Sequence, residues 1–205
     1  MNCRTILTAL AVALISCQGD LTRKQLLDYT TDVKNGLCKK QEKLGTQLEV
    51  IYRPSQLMAE AQIRNEELSD RQIDSIRATF KEIDYFLLRI SRNSREIENS
   101  YSGDSRNFQR INNYLSFEIG GDIYLVQSRD TLRVTDFVRT QTFGASPSTD
   151  ILLAFKPGFS KRSIDIKVVF NDTKFDTGVN EFLFDIDDIT RVSDIQIIDK
   201  IHEAD

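Results

Sequence analysis

The chain has 205 residues, with 27 Lys and Arg against 31 Asp and Glu, a formal net charge of −4 and 40% apolar residues. That balance excludes binding driven by nucleic-acid phosphates, which needs a concentrated excess of Lys and Arg, while the length suits one moderate domain or two small ones with a real core. One histidine, three cysteines and no tryptophan leave few of the side chains that metal and nucleophilic centres use.

The chain opens MNCRTILTALAVALISCQGD. Arg4 and the terminal amine make a short positive end, Thr5 to Ile15 is almost wholly apolar, and Gln18, Gly19 and Asp20 return to polar character. This run falls short of the roughly 20 residues a membrane-spanning helix needs, and it reads as an export signal. Its last four residues, Leu14, Ile15, Ser16 and Cys17, resemble the lipobox of bacterial lipoprotein signals. The resemblance implies removal of residues 1–16, a covalent lipid on Cys17 and a lipidated tether over residues 17–24. Each buried methylene contributes about 0.8 kcal/mol, so two or three chains on one residue hold a soluble body firmly at a membrane. In such signals an aspartate after the cysteine favours the inner membrane; Gln18 therefore implies an outer-membrane lipoprotein, with the periplasmic and surface faces both open. Cys38 is then the only free cysteine, read as a thiol buried beside Leu37 rather than a redox site.

Residues 25–117 are expected to be helix-rich with one strand. LTRKQLLDYTTDVKNGL presents Leu21, Leu26 and Leu27 as a partial helical face, ending at Asn35 and Gly36. Lys39, Lys40 and Lys43 read as solvated. QLEVIY alternates Leu48, Val50 and Tyr52 with Glu49 and Ile51, the pattern of a half-buried strand. Pro54 and Ser55 suit a helix start, with Leu57, Met58, Ala61 and Ile63 apolar; a loop carrying Leu57 and Met58 into a groove is the alternative. The strongest helical pattern covers residues 69–92: Ser69 and Gln72 have capping-box spacing, and Ile73, Ile76, Phe80, Ile83, Leu87 and Ile90 recur in steps of three and four. A further short helix is expected over residues 105–115, using Phe108, Ile111 and Leu115.

Beyond residue 118 the period becomes two. DIYLVQ, TLRVTDFVRTQTF, DILLAF, SIDIKVVF and EFLFDI are short runs of branched and aromatic residues separated by turn formers. With no helix-length interval between them, they predict antiparallel strands. Residues 191–205 add one more expected strand and a frayed acidic end. The expected fold class is α+β, a helix-rich N-terminal half followed by an antiparallel β-sandwich or open-barrel-like domain over residues 118–205.

Catalytic groups are sparse. His202 stands near the C-terminal end, where a rigid orienting partner is hard to supply. FDIDDIT places Asp185, Asp187 and Asp188 at a strand end and is superficially similar to the opening motif of haloacid-dehalogenase phosphatases, but Ile189 departs from that motif and no parallel-sheet pattern follows. An acidic turn is the preferred reading. NDTKFDTG, with Asn171, Asp172, Asp176 and Gly178, invites a calcium loop, yet lacks the EF-hand spacing; a hairpin turn capped by Asn and Asp explains it more simply. Arg89, Arg92, Arg95, Arg106 and Arg110 are diluted by intervening acids.

The sequence thus predicts no catalytic residue, no metal site and no cofactor beyond the lipid on Cys17. The expected function is a noncatalytic lipid-anchored protein of the bacterial envelope that binds or organises another envelope component, with Ser146, Ser148, Thr149, Asn171, Asp172, Asp176 and Gly178 as candidate binding-loop residues. A small-ligand or glycan-binding lipoprotein, using Tyr101, Tyr114 or Tyr124, is the first alternative, and a carboxylate-dependent hydrolase the second. The expected partners are the membrane, through lipid, and another envelope protein rather than nucleic acid.

Overall fold

A computed structural model describes residues 20–64, 67–156 and 165–198. Cys17 and His202 lie outside the described residues. The first helix, α1 (Arg23–Thr31), starts at a reciprocal capping box between Thr22 and Gln25, which satisfies backbone amides left open at the helix start. Gly36 then takes a left-handed φ of 76° with Asp188 pressed against it: a Cβ there would lie 1.9 Å from Asp188 Oδ2, so only glycine fits. Strands β1 (Cys38–Lys43) and β2 (Thr46–Arg53) pair across the turn at Leu44 and Gly45. Pro54 opens α2 (Ser55–Ile63), which buries Leu57 and Ala59, so the expected helix is present and Leu57 enters the core rather than an exposed groove.

The helix expected over residues 69–92 is corrected. Its Ser69–Gln72 capping box forms, but α3 ends at Lys81 (Asp70–Lys81) and residues Asp84–Arg92 are strand β3. β3 lies between β2 and β8 (Thr149–Phe155) and is buried from both sides, with Tyr85, Phe86, Leu87 and Leu88 all buried in succession. A strand covered on two faces is continuously apolar, and a continuous apolar run also contains residues three and four apart. The steps at Ile83, Leu87 and Ile90 therefore continued a helical period the backbone does not follow.

A two-residue turn at Asn93 and Ser94, both with positive φ, returns the chain as β4 (Arg95–Glu96). After a 3-10 turn, Asp104 caps α4 (Ser105–Asn113), the short helix expected over residues 105–115, and wider and tighter turns lead to Ile123. Gly120 admits the ring of Phe137, 2.6 Å from where a Cβ would stand. The strands β5 (Ile123–Gln127), β6 (Asp130–Arg133), β7 (Asp136–Thr140), β8, β9 (Ile166–Asn171) and β10 (Val179–Phe184) follow. TLRVTDFVRTQTF is thus two strands, β6 and β7, in different sheets. The chain then forms α5 (Ile186–Ser193) where an acidic turn was expected; of the strand and acidic end expected over residues 191–205, the described part after α5 makes an isolated bridge from Ile197 to Leu21, and residues 199–205 lie outside the described residues. Asp185 caps α5, and Asp187 and Asp188 occupy its first turn, where acids favour the positive helix end.

The protein is α+β, with every strand pair antiparallel. One sheet has six strands in the order β1-β2-β3-β8-β7 with β4 on β3, and the other has four in the order β10-β9-β5-β6. Residues 25–117 hold four strands rather than one, and β3 pairs with β8 across the expected boundary at 118. Both sheets contribute to one core: Val50, Phe86, Leu88, Ile151 and Phe155 from the first, Leu125, Val168, Phe170, Phe182 and Phe184 from the second. Phe86 is central, its ring 5.4 Å from Tyr52, 6.0 Å from Phe155 and 5.2 Å from Phe184. Gln41 and Lys43 donate side-chain hydrogen bonds to carbonyls of Glu181, Thr177 and Val179, tying edge strand β1 to edge strand β10.

Candidate functional site

The face of the six-stranded sheet turned away from this core carries a row of charges. Register places Lys40 of β1 opposite Glu49 of β2, Glu49 opposite Arg89 of β3, and Arg89 opposite Asp150 of β8. Side chains directly opposite on one sheet face can touch, and these do. Lys40 Nζ lies 2.7 Å from Glu49 Oε1, Arg89 Nη1 3.3 Å from Glu49 Oε2, and Arg89 Nε 3.1 Å from Asp150 Oδ2. Ser148 Oγ extends the row by donating to Asp150 Oδ1 at 2.6 Å. Signs therefore alternate across four strands.

Burial alone raises the pKa of Glu49, but hydrogen bonds from Lys40 and Cys38 and the charges of Lys40 and Arg89 outweigh it and hold the carboxyl below its ordinary range. The bond to Glu49 raises Lys40 in turn. Arg89 is raised despite burial, by Asp150 and Glu49. An open cleft of about 660 Å³ runs over this row, walled by Ser146, Pro147 and Ser148 on one side and Gln41, Glu42 and Gln47 on the other.

The wall formed by residues 142–148 is fixed from beneath. Glu96 is only 2% exposed, and its carboxylate accepts from Thr142 Oγ1, from Gly144 N at 2.7 Å and from Ser146 N at 3.2 Å. The loop is thus a braced edge of the cleft, with Ser146 and Ser148 lining it. Thr149 is not part of that surface: it is buried, donating to Glu98 and accepting from Ile97 N.

The second predicted loop lies elsewhere. Asp172 accepts from Lys174 N at 2.8 Å, Phe175 N at 2.9 Å, Thr177 N at 2.7 Å and Thr177 Oγ1 at 2.7 Å, so its oxygens are occupied by its own turn. Asp176 and Gly178 supply positive φ to that turn, as the hairpin reading requires, and Asn171 borders a separate small hollow beside Asp122 and Tyr124. The sequence reading treats Lys40 as solvated, Glu49 as the outer face of a strand and Arg89 as part of a diluted basic interval, and does not bring the three together, although a hairpin at Leu44 and Gly45 places Lys40 opposite Glu49.

Comparison with known proteins finds no matching family model, no matching curated protein and no matching solved structure. The chemistry of the cleft must be read from its own groups. Among the described residues, no three His, Cys, Asp or Glu side chains converge as a metal site, and no helix is long and apolar enough to cross a membrane. Cys38, 2% exposed, donates its thiol to Glu49 Oε1 at 3.1 Å. Burial, then the bond to Glu49 and its charge, push this thiol up to about 12, far from the thiolate a nucleophile needs. At pH 8, iodoacetamide is expected to leave Cys38 unmodified in the folded protein and to label it fully in guanidinium chloride, as read by peptide mass spectrometry; fast labelling of the folded protein would contradict the buried, bonded thiol.

Charges of alternating sign, with hydroxyl and amide groups on either side, suit a polar surface of mixed charge and fix its orientation by rejecting like-charge alignments.

Proposed function

We propose that this chain is a lipid-anchored protein of the bacterial envelope, held at the outer membrane through Cys17, whose six-stranded sheet docks another envelope protein without catalysing a reaction. The observation that supports this reading most is the open cleft over Lys40, Glu49, Arg89 and Asp150, edged by a braced loop. The two sheets act together as a β-sandwich, extending the sandwich expected of the C-terminal half to strands from the N-terminal half. The lipid raises the local concentration of the body at the membrane, so a weak polar contact suffices for occupancy. Glycan binding is less well served, because the cleft lining contains no aromatic side chain on which a sugar ring would stack.

The test places a photo-crosslinking amino acid at Ser148 in the native host. One reproducible envelope protein should be captured, and Lys40→Glu, which reverses the outer charge of the row and sets a carboxylate opposite Glu49, should cut that capture by about tenfold or more while circular dichroism shows the fold retained. Mass spectrometry of the mature N-terminus should show diacylglycerol on Cys17. An intact leader or unmodified Cys17 removes the anchoring half of the proposal, and capture unaffected by Lys40→Glu removes the docking half.

A further inference from the structure

The six-stranded sheet ends differently on its two sides. Edge strand β1 carries Lys39, Lys40 and Lys43 and is tied to β10 through Gln41 and Lys43, and charge and cover are how sheets close their edges. The opposite edge, β7, pairs with β8 alone among the described residues and has no lysine. The Phe137 amide shows which main-chain groups this edge leaves open. It donates to the neighbouring Asp136 Oδ1 at 2.8 Å. By the alternation of antiparallel ladders, the N–H and C=O groups of Phe137 and Arg139 then face outward, while those of Asp136, Val138 and Thr140 face β8.

An apolar row on the outer face of the sheet leads to the same edge. Register sets Cys38 opposite Ile51, Ile51 opposite Leu87, Leu87 opposite Leu152 and Leu152 opposite Val138. Exposure climbs along the row from 2% at Cys38 and 0% at Ile51 to 9% at Leu87 and 60% at Val138, where the row stops. The side chains of β7 on the other face are already engaged, Phe137 against Gly120 and Arg139 with Glu98. An occupant of this edge therefore has to supply main-chain bonds to Phe137 and Arg139 and an apolar group to Val138.

We propose that the occupant is a second copy of this chain, with the two β7 strands antiparallel about a twofold axis through Val138. In that register β7 is complementary to itself. Phe137 of each copy stands opposite Arg139 of the other, and the two exchange both main-chain hydrogen bonds. Val138 meets Val138 of the second copy at a non-hydrogen-bonded pair, where Cα atoms are about 4.5 Å apart and side chains lie closest. Asp136 releases the Phe137 amide and accepts from the Thr140 hydroxyl opposite it. The apolar row then passes unbroken from one copy to the other, as an isologous contact requires. Thr140 also stands opposite Asp150, so the charged row reaches this edge too, and the clefts of both copies share one continuous sheet face. A five-residue strand pair is a small interface and gives a weak dimer that depends on concentration. The dimer is independent of the docking and anchoring proposals.

Sedimentation of the full-length protein, in detergent if lipidated, should show a monomer–dimer equilibrium between micromolar and millimolar concentration. Val138→Lys, at a 60% exposed position, sets two ammonium groups directly opposite each other and should leave monomer over the same range. Oxidation should join Val138→Cys into a disulfide dimer that the unsubstituted protein does not form, because the Cα separation of that pair suits a disulfide. Asp136→Cys is the register control: the twofold sets it roughly 13 Å along the strand from its counterpart, so it should stay unlinked. Should Val138→Lys lose its circular dichroism, the two cysteine variants decide. Monomer at every concentration, a dimer unchanged in Val138→Lys, or equal linking of Val138→Cys and Asp136→Cys would each overturn the assignment.

Discussion

Phe86→Ala is expected to lower the unfolding free energy by about 3–5 kcal/mol, the cost of deleting a fully buried ring whose surroundings cannot close over the gap. Phe86 is 0% exposed on the central strand β3, and its ring meets Tyr52 from β2, Phe155 from β8 and Phe184 from the opposite sheet. The lost volume lies where the two sheets meet, so neither can collapse inward without breaking strand pairs. Phe86→Leu keeps most of that volume and should cost less than half as much. Urea denaturation followed by circular dichroism measures both. A loss below about 1 kcal/mol for Phe86→Ala would mean that this aromatic contact is not what joins the sheets.

The residues that make this contact also show why β3 was hard to read. On β2, Leu48, Val50 and Tyr52 point to the core while Glu49 faces outward, and that alternation is visible in the letters. On β3, Phe86, Leu88 and Ile90 face the core while Tyr85 and Leu87 are buried on the other side, so polarity carries no period. β1 failed for the opposite reason. It is an edge strand whose Lys39, Lys40 and Lys43 look like a solvated stretch, and charged side chains are how sheets protect edges. Its strand character lies in backbone pairing with β2.

The site was partly legible for the same physical reasons. Ser146 and Ser148 follow from a turn-rich interval between two apolar runs, and both reach the cleft. Their charged neighbours come together only through cross-strand register, and a helix over residues 69–92 offers no register that sets Arg89 beside Glu49. Asp172 was legible as a turn former, since Asn and Asp bond nearby amides.

Arg139→Met is expected to cost about 3–5 kcal/mol, because it leaves a buried carboxylate without its cation. Arg139 on β7 pairs through Nη2 with Glu98, the two side chains being 8% and 6% exposed, and its Nη1 donates to Asn112 Oδ1 at 2.9 Å and Ser116 Oγ at 3.4 Å. One guanidinium thus joins an edge strand to the 3-10 turn after β4 and to the end of α4. Glu98→Gln on its own removes the charge but retains an acceptor for Thr149 Oγ1. The double variant Arg139→Met/Glu98→Gln should therefore recover a large part of the loss, since position 98 then no longer carries a buried charge without its cation. Glu96, two residues before Glu98, braces the loop that edges the cleft. Arg139→Met should accordingly speed amide exchange at Gly144 and Ser146 beyond the increase at core strands β3 and β8, and the double variant should reverse it. Equal destabilisation of the single and double variants would show that Arg139 acts through packing and its bonds to Asn112 and Ser116 rather than by neutralising Glu98.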